Sequence, residues 1–359
     1  MVSDLSDEDI SQLNRGGHDP TKVYAAYHAA VNRKGQPTVI LAQTVKGYGM
    51  GSSGESANPS HQVKKLDLEN LKKFRDRFSI PVSDDDLGDL PYFDPGPESP
   101  EIKYLQERRQ TLGGYLPSRR AWKDPLGCPS LDAFKQQTKG TGDRKISTTM
   151  AFVRMLSTLA KDKTIGHRVV PILPDEARTF GMEGMFKQLG IYTTEGQKYI
   201  PHDVDQVLSY HEDRAGQILE EGINESGAFS AWMACATSYA NHNQPLIPFY
   251  IYYSMFGFQR IHDLAWAAGD ARARGFLLGA TSGRTTLNGE GLQHQDGHSH
   301  LMAQTIPNCK SYDPCFDYEL AAIIKNGIDD MYVKNNDNYY YLTLMNENYS
   351  HPERPKNLK

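Results

Sequence analysis

The sequence has few cysteines and no long run of apolar residues. Its four cysteines include no C-x-x-C pair in 359 residues. A secreted protein of this length would more often carry an organised set of disulfides, so we expect reduced thiols and a cytoplasmic location. No apolar stretch approaches the roughly 18 residues that a membrane-spanning helix requires, and the acidic first residues do not resemble a signal peptide. The sequence therefore predicts no membrane association.

Basic residues do not outnumber acidic ones. The chain has 39 Lys and Arg against 44 Asp and Glu, which gives a mild net charge of −5. This balance does not favour binding to nucleic acid or to an anionic membrane surface. The length suffices for roughly two domains. The hydrophobic content of 38%, which includes 20 Tyr and 13 Phe, can supply a sizeable core.

From about residue 125 onward, segments with helical spacing alternate with short apolar segments. Alternation of this kind predicts a parallel α/β layer. A polar stretch at 190–216 interrupts it and is expected to be a mobile loop. The predicted helices are 147–161, 182–188, 228–240, 261–274 and 317–326, and the predicted strands are 168–173, 246–253, 275–280 and 339–344.

The first 124 residues do not form such a pattern. We predict a helix at 21–32 with Thr21 as N-cap, a strand at 37–42 and a glycine-rich loop at its carboxyl end. One helix, one strand and one loop are typical of the end of a domain, so residues 1–65 are interpreted in that way. Residues 66–124 are charged and rich in proline, which indicates a linker with local helices.

Glu225 is the first candidate for chemistry. It lies on a loop that opens a helix and precedes a buried strand, and α/β sheets place active sites at such positions. The spacing alone fits equally an acidic residue that stabilises the helix N-terminus through the dipole. Two further carboxylates, Asp175 and Glu176, follow another predicted strand; they could instead be solvated or held by Arg178.

The remaining candidates are aromatic or histidine residues. Tyr253 and Phe256 follow a predicted strand and could simply belong to an aromatic core. His61 lies on a flexible Gly/Ser-rich loop, where most histidines are solvated. The segment 293–300, QHQDGHSH, has three histidines and Asp296, which suggests a zinc site. Its spacing matches no complete ligand set, and Gly297 indicates a loop.

Three segments carry a family resemblance. EEGINESGA, FYIYYSMFGFQRIHDLAWAAGD and TSGRTTLNGEGLQHQDGHSH resemble the homodimeric pyruvate dehydrogenase decarboxylating component of bacteria, which depends on thiamine diphosphate. The resemblance implies a parallel-sheet, transketolase-like α/β fold. It further implies a pyrimidine-binding domain at 125–359, preceded by a linker at 66–124. Residues 1–65 would be the end of a diphosphate-binding domain with a mobile active-site loop.

The resemblance also implies an activity and partners. The family decarboxylates pyruvate and reductively acetylates a lipoyl group on the lipoyl domain of the dihydrolipoamide acetyltransferase, and it works as a homodimer. Glu225 matches the carboxyl group that contacts the aminopyrimidine nitrogen of the cofactor. We expect Ile223, Tyr253 and Phe256 to bury this carboxyl group at the helix N-terminus.

The other candidates acquire roles in the same way. Phe256 would stack on the pyrimidine, and Tyr253 would turn its hydroxyl to the substrate. His294 matches a histidine that contacts the bound 2-oxo acid, so we favour catalysis over metal binding there. His61 matches a histidine on a loop that becomes ordered over the active site. Asp175 and Glu176 match an acidic pair close to the reacting carbon.

One expected motif is missing. Enzymes of this kind hold the diphosphate through magnesium bound to a Gly-Asp-Gly segment, and this chain has no such segment. The resemblance covers essentially all 359 residues but only the middle of a longer protein. We therefore expect a partial segment that is inactive alone, with the magnesium ligands elsewhere. A non-catalytic remnant, or one piece of a split enzyme, stays open; a transketolase-type carbon transfer explains the segment 293–300 less well.

Overall fold

The structure is a computed structural model that describes residues 3–12, 16–115, 122, 124–174, 177–283, 287 and 291–356. The chain separates into two compact units, Met1–Leu116 and Pro117–Lys359. Among the described residues, the first unit contains helices and turns without a strand, whereas the second is built on a parallel sheet. None of the described helices is long and apolar enough to cross a membrane.

The described part of the first unit has four α-helices. They are α1 Asp7–Gln12, α2 Pro20–Asn32, α3 Leu68–Arg77 and α4 Pro100–Thr111. The predicted N-cap of the second helix is wrong: Asp19 rather than Thr21 caps α2, and its carboxylate accepts hydrogen bonds from the backbone N–H groups of Thr21 and Lys22 at 2.9 and 3.1 Å. Pro20 fills the first helical position, where a missing N–H has no cost, so the acidic residue before it becomes the cap.

The strand predicted at 37–42 is also wrong. These residues have no regular secondary structure, and the side chains of Val39 and Leu41 are 82% and 93% exposed. A strand needs a neighbour for its backbone hydrogen bonds, and the described part of this unit offers no other strand. β-Branched residues alone therefore do not produce the strand.

Hydrogen bonds to the Glu55 side chain hold the backbone of the glycine-rich loop that follows. The Glu55 carboxylate accepts hydrogen bonds from the backbone N–H groups of Gly49 and Gly51 at 3.2 and 3.3 Å. Arg77 on α3 donates to the same carboxylate at 2.6 Å. One side chain thus joins the loop to the helix.

The second unit contains eight further α-helices and ten strands among its described residues. The helices are α5 Lys135–Thr138, α6 Thr148–Ala160, α7 Phe186–Leu189, α8 Glu225–Ala236, α9 Ser238–Asn241, α10 Gly257–Asp270, α11 Ser299–Ala303 and α12 Asp317–Ile328. The strands are β1 Lys145–Ile146, β2 Val169–Leu173, β3 Ile191–Tyr192, β4 Glu212–Asp213, β5 Leu219–Glu220, β6 Ile247–Tyr253, β7 Phe276–Ala280, β8 Cys309–Tyr312, β9 Tyr339–Thr343 and β10 Tyr349–Ser350.

Six of these strands form one parallel sheet in the order β5-β2-β6-β7-β9-β8. Helices cover both faces because side chains alternate along each strand. On β6, Phe249 and Ile251 pack in the core with α6 and α12, whereas Tyr250 and Tyr252 pack in the core with α8 and α10. The strands predicted at 168–173, 246–253, 275–280 and 339–344 are confirmed, as is the parallel α/β class.

Some predicted elements differ from the structure in their bounds or type. The helix predicted at 261–274 is α10, which begins at Gly257 directly after a 3₁₀ turn and ends at Asp270. No side-chain cap marks its start, and Arg272 adopts a left-handed conformation with φ 58°, which stops it. The predicted loop 190–216 contains β3 and β4, which pair with each other in parallel.

Candidate active site

Four of the predicted site residues lie at the carboxyl end of the sheet in the second unit. Glu225 is the first residue of α8, Tyr253 is the last residue of β6, and Phe256 ends the 3₁₀ turn that follows. His294 ends another 3₁₀ turn, Leu292–His294, in the long connection after β7. The fold therefore gathers side chains that are up to 69 residues apart in sequence (294 − 225).

The aromatic part of this cluster is closely packed. The ring centroid of His294 lies 5.7 Å from that of Tyr253 and 5.3 Å from that of Phe256, with near-perpendicular ring planes in both pairs. Tyr253 and Phe256 are themselves 6.3 Å apart, edge to face. The ring centroid of Phe180 lies 5.4 Å from that of Tyr253, with tilted ring planes. Perpendicular contacts of this kind are favourable and fix the ring orientations.

Glu225 is buried, and its side chain is 9% exposed. Arg260, on the first turn of α10, donates from Nη1 to Glu225 Oε1 at 2.6 Å. Tyr250 donates its hydroxyl to the backbone carbonyl of Glu225 at 3.3 Å. Asn224 caps α8 by accepting the N–H of Gly227 at 3.0 Å. A buried carboxylate is thus held at a helix N-terminus with a cation as its partner.

Arg260 also contacts the aromatic cluster. Its guanidinium carbon lies 4.6 Å above the centroid of the Phe256 ring. Its side chain is 48% exposed, so one planar cation at the surface connects Glu225 with Phe256. Arg260 was not predicted from the sequence. Its spacing could have indicated the contact, because Arg260 follows Phe256 by four residues at the start of a helix, where such side chains are neighbours.

The surroundings expected for Glu225 need one correction. Ile223 is 80% exposed and does not bury the carboxyl group. It lies two residues before the helix, on a turn after Gly222 with φ 76°. The residue shown to contact the carboxylate is instead Arg260.

The segment 293–300 does not gather its polar groups around one point. Asp296 is 4% exposed, and its carboxylate accepts hydrogen bonds from Ser254 and from the backbone N–H groups of His298 and Ser299. His300 instead lies 3.0 Å from the Thr343 hydroxyl. Among the residues that the structure describes, no group of three or more His, Cys, Asp or Glu side chains could hold a metal ion.

Two predicted site residues, Asp175 and Glu176, lie outside the described residues. They follow the carboxyl end of β2, which ends at Leu173. Arg178, considered as their partner, donates to the Asp203 carboxylate and to the carbonyl of Leu208.

His61 belongs to the first unit. It ends a 3₁₀ turn, Asn58–His61, on the loop that Glu55 organises. Lys46 Nζ lies 2.8 Å from His61 Nδ1. An ammonium group can only donate, so this contact leaves Nδ1 as the acceptor and places the proton of a neutral ring on Nε2.

Comparison with known proteins identifies the family. A family model described as the pyruvate dehydrogenase E1 component middle domain matches residues 126–352, which is more than half of the chain. The chain belongs to the pyruvate dehydrogenase E1 component family. The resemblance stated from the sequence is thereby confirmed.

Relatives in this family match nearly the whole chain. The pyruvate dehydrogenase E1 component of Pseudomonas aeruginosa is 65% identical over 356 residues, which are 99% of this chain and 40% of that protein. The one from Escherichia coli is 57% identical over 362 residues, with coverages of 99% and 40%. The chain thus spans about 40% of the length of these relatives.

Solved structures show the fold. A transketolase from Campylobacter jejuni is 17% identical, with a TM-score of 0.61 over 95% of this chain and 47% of that one. A Pichia stipitis transketolase in complex with sedoheptulose-7-phosphate is 13% identical, with a TM-score of 0.55 over 93% of this chain and 46% of that one. The predicted transketolase-like α/β fold is confirmed.

Proposed function

We propose that this chain supplies the pyrimidine-binding, substrate-facing side of a thiamine-diphosphate site that decarboxylates pyruvate. The product of that step would reductively acetylate a lipoyl group on the dihydrolipoamide acetyltransferase. The support is membership of the pyruvate dehydrogenase E1 component family together with the cluster at the carboxyl end of the sheet. Because the chain spans about 40% of its relatives, the rest of the site would come from segments that this chain does not match.

The observation that carries the proposal is the double contact of Arg260. Its planar guanidinium donates an N–H to Glu225 Oε1 at 2.6 Å and covers the Phe256 ring at 4.6 Å. An aminopyrimidine is also planar and would make the same two contacts, one with a carboxyl oxygen and one with an aromatic face. The residues present therefore fit the pyrimidine end of the cofactor. Arg260, whose side chain is 48% exposed, would leave both contacts when that ring enters.

Thiamine diphosphate, when bound, supplies the carbon nucleophile that attacks the 2-oxo group of pyruvate and takes up electrons as carbon dioxide leaves. Glu225 holds a proton at its carboxyl oxygen against the pyrimidine ring nitrogen, and Phe256 keeps the ring plane fixed. Tyr253 and His294, packed edge to face, offer a hydroxyl and an imidazole to the 2-oxo acid. Asp175, Glu176 and the loop of His61 are further proposed contributors.

The diphosphate end needs groups of another kind. It is strongly anionic, and burying uncompensated charge costs several kcal/mol. In the described residues of this chain no cluster could hold a metal ion, so we place magnesium and its ligands in the remaining part of the enzyme. The isolated chain is then limited to a few contacts of about 1 kcal/mol each, which corresponds to an affinity nearer millimolar than micromolar.

Family membership supports a proposal for the partners and the location. We propose a homodimer in the cytoplasm that receives the lipoyl domain of the acetyltransferase. The alternatives are a non-catalytic remnant and one piece of a split enzyme that pairs with its missing half.

A chimera tests the proposal. This chain replaces the matching segment of the Pseudomonas aeruginosa relative, to which it is 65% identical. Calorimetry with thiamine diphosphate and magnesium should give micromolar binding for the chimera and none at that level for the isolated chain, and the chimera should release carbon dioxide from pyruvate. A folded chimera that releases none would contradict the proposal in favour of a remnant; micromolar binding by the chain alone would contradict the division of the site.

A further inference from the structure

Asp296 is a buried carboxylate that the proposed chemistry does not use. It is 4% exposed and lies between the turn of His294 and the start of α11. Its Oδ1 accepts the backbone N–H groups of His298 at 3.0 Å and Ser299 at 3.2 Å, and its Oδ2 accepts the hydroxyl of Ser254. A buried charge is tolerated only when hydrogen bonds replace its water shell, and three donors do so here.

The hydrogen bond from Ser254 to Asp296 connects two parts of the site. Ser254 directly follows Tyr253 and opens the 3₁₀ turn that ends at Phe256. It is 1% exposed, and its hydroxyl oxygen also lies 3.3 Å from the hydroxyl of Tyr341 on β9. The carboxylate of Asp296 thus ties the loop that carries His294 to the turn that carries Tyr253 and Phe256.

Gly279 on the neighbouring strand β7 leaves space for the contact between Ser254 and Tyr341. A Cβ atom on Gly279 of β7 would lie 2.8 Å from the Ser254 hydroxyl oxygen and 2.7 Å from the Tyr341 hydroxyl. Both distances are too short for any side chain, so glycine is required where the two hydroxyls meet. The absence of a side chain at Gly279 leaves room for both hydroxyls.

The charge of Asp296 persists at neutral pH. Burial opposes it, but hydrogen bonds from Ser254, Ser299 and the backbone N–H of His298 outweigh burial, and the pKa of Asp296 lies below its ordinary value. The carboxylate is therefore an acceptor for all three donors in the working pH range.

We propose that Asp296 is a positioning residue that acts through Ser254 to hold His294 against Tyr253 and Phe256. This inference rests on the proposed function, since it concerns how the substrate-facing groups are aligned. The centroid distances of 5.7 and 5.3 Å from His294 to the two rings are the alignment that the carboxylate maintains. Misplacement of about 1 Å in an active site can lower a rate about 10²-fold.

The first experiment uses the 359-residue chain and needs no activity. The imidazole resonances of His294 are assigned by NMR through loss of the signal in His294→Ala. In Asp296→Asn they should shift towards solvent-exposed values, because the ring leaves Tyr253 and Phe256. Asp263→Asn, at an exposed position on α10, is the matched control and should leave them unchanged. Unmoved His294 signals in folded Asp296→Asn would overturn the proposal.

The second experiment measures coupling in the chimera. Asp296→Asn and Ser254→Ala should each lower kcat/KM for pyruvate about 10- to 100-fold, with thiamine diphosphate affinity changed less than about threefold. Since one residue acts through the other, the double variant should lose no more than the larger single loss.

Multiplicative losses in the double variant, or an undiminished kcat/KM in Ser254→Ala, would overturn the link. Ser254→Ala keeps the carboxylate and serves as the test if Asp296→Asn does not fold. If the unsubstituted chimera is inactive, the proposed function fails, whereas the NMR experiment on the chain still decides the positioning role.

Discussion

Arg260 Nη1 lies 2.6 Å from Glu225 Oε1, and this contact joins the amino-terminal turns of α8 and α10. Both turns lie at the carboxyl end of the sheet, where open α/β folds bind their ligands. The same guanidinium covers Phe256, so the carboxylate and the aromatic face belong to one site.

Replacement of Glu225 tests the carboxyl group directly. In the chimera, Glu225→Gln should slow hydrogen–deuterium exchange at the thiazolium carbon of the cofactor by about 10²-fold or more, the usual effect of removing a proton-transfer group. The exchange is followed by NMR. Glu221→Gln, at an exposed position just before α8, is the control. Near-normal exchange in Glu225→Gln would rule out the assigned role.

Replacement of Arg260 tests the ion pair. Arg260→Ala should lower the free energy of unfolding of the isolated chain by about 1 kcal/mol, because it leaves a buried carboxylate without its cation while the exposed arginine limits the gain. Urea denaturation measures this. Arg260→Lys should recover part of the loss. If the ion pair stabilises the fold, the double variant with Glu225→Gln and Arg260→Ala should lose less free energy of unfolding than the sum of the two single losses. Additive losses would show that the ion pair does not contribute.

Replacement of His294 distinguishes a catalytic role from metal binding. His294→Ala in the chimera should lower kcat/KM for pyruvate by about 10²-fold, in the range of a lost acid–base or orienting group. His242→Ala, at an exposed position after α9, should have no effect. Elemental analysis of the unsubstituted chain should find no stoichiometric zinc. Tightly bound zinc that disappears in His294→Ala would favour the metal site instead.

Asp330 gives a prediction for acid stability. Burial opposes its charge, but hydrogen bonds from Asn336, Lys310 and two further donors outweigh burial and hold its pKa at about 2. A carboxyl with a lowered pKa in the folded state stabilises the fold above its unfolded pKa, and this contribution disappears as the pH falls towards the folded pKa. The free energy of unfolding should therefore decrease from about pH 4 to about pH 2.

Asp330→Asn should be less stable at pH 7 and should show a shallower decrease over that acid range. Denaturant titrations at several pH values measure both slopes. Asp263→Asn again serves as an exposed control. An identical pH dependence in Asp330→Asn and the unsubstituted chain would contradict the assignment.

Much of the second unit could be predicted because its signals are local. β6 is a continuous apolar run, and α6 lies within the predicted helix 147–161 with Ser147 as its cap. Glu225 stands at the start of α8 as expected. The family resemblance added the roles of Phe256 and His294, which spacing alone left open.

The missed features depend on partners distant in sequence. The ion pair of Glu225 is made by a residue 35 positions away, and Asp296 meets Ser254 across 42 positions. The short strand β8 forms because β9 supplies its parallel neighbour. The failed strand at 37–42 shows the converse, since β-propensity without a neighbour gives no strand.

Acetylation of a lipoyl domain shows whether this chain provides working active-site residues. The chimera is incubated with pyruvate, thiamine diphosphate, magnesium and the lipoyl domain of the acetyltransferase, and the mass of the domain is measured by mass spectrometry. We expect one added acetyl group with the unsubstituted chimera, and none at the same time point with Glu225→Gln. An unmodified domain with a folded chimera, or equally fast acetylation with Glu225→Gln, would show that the proposed function is wrong.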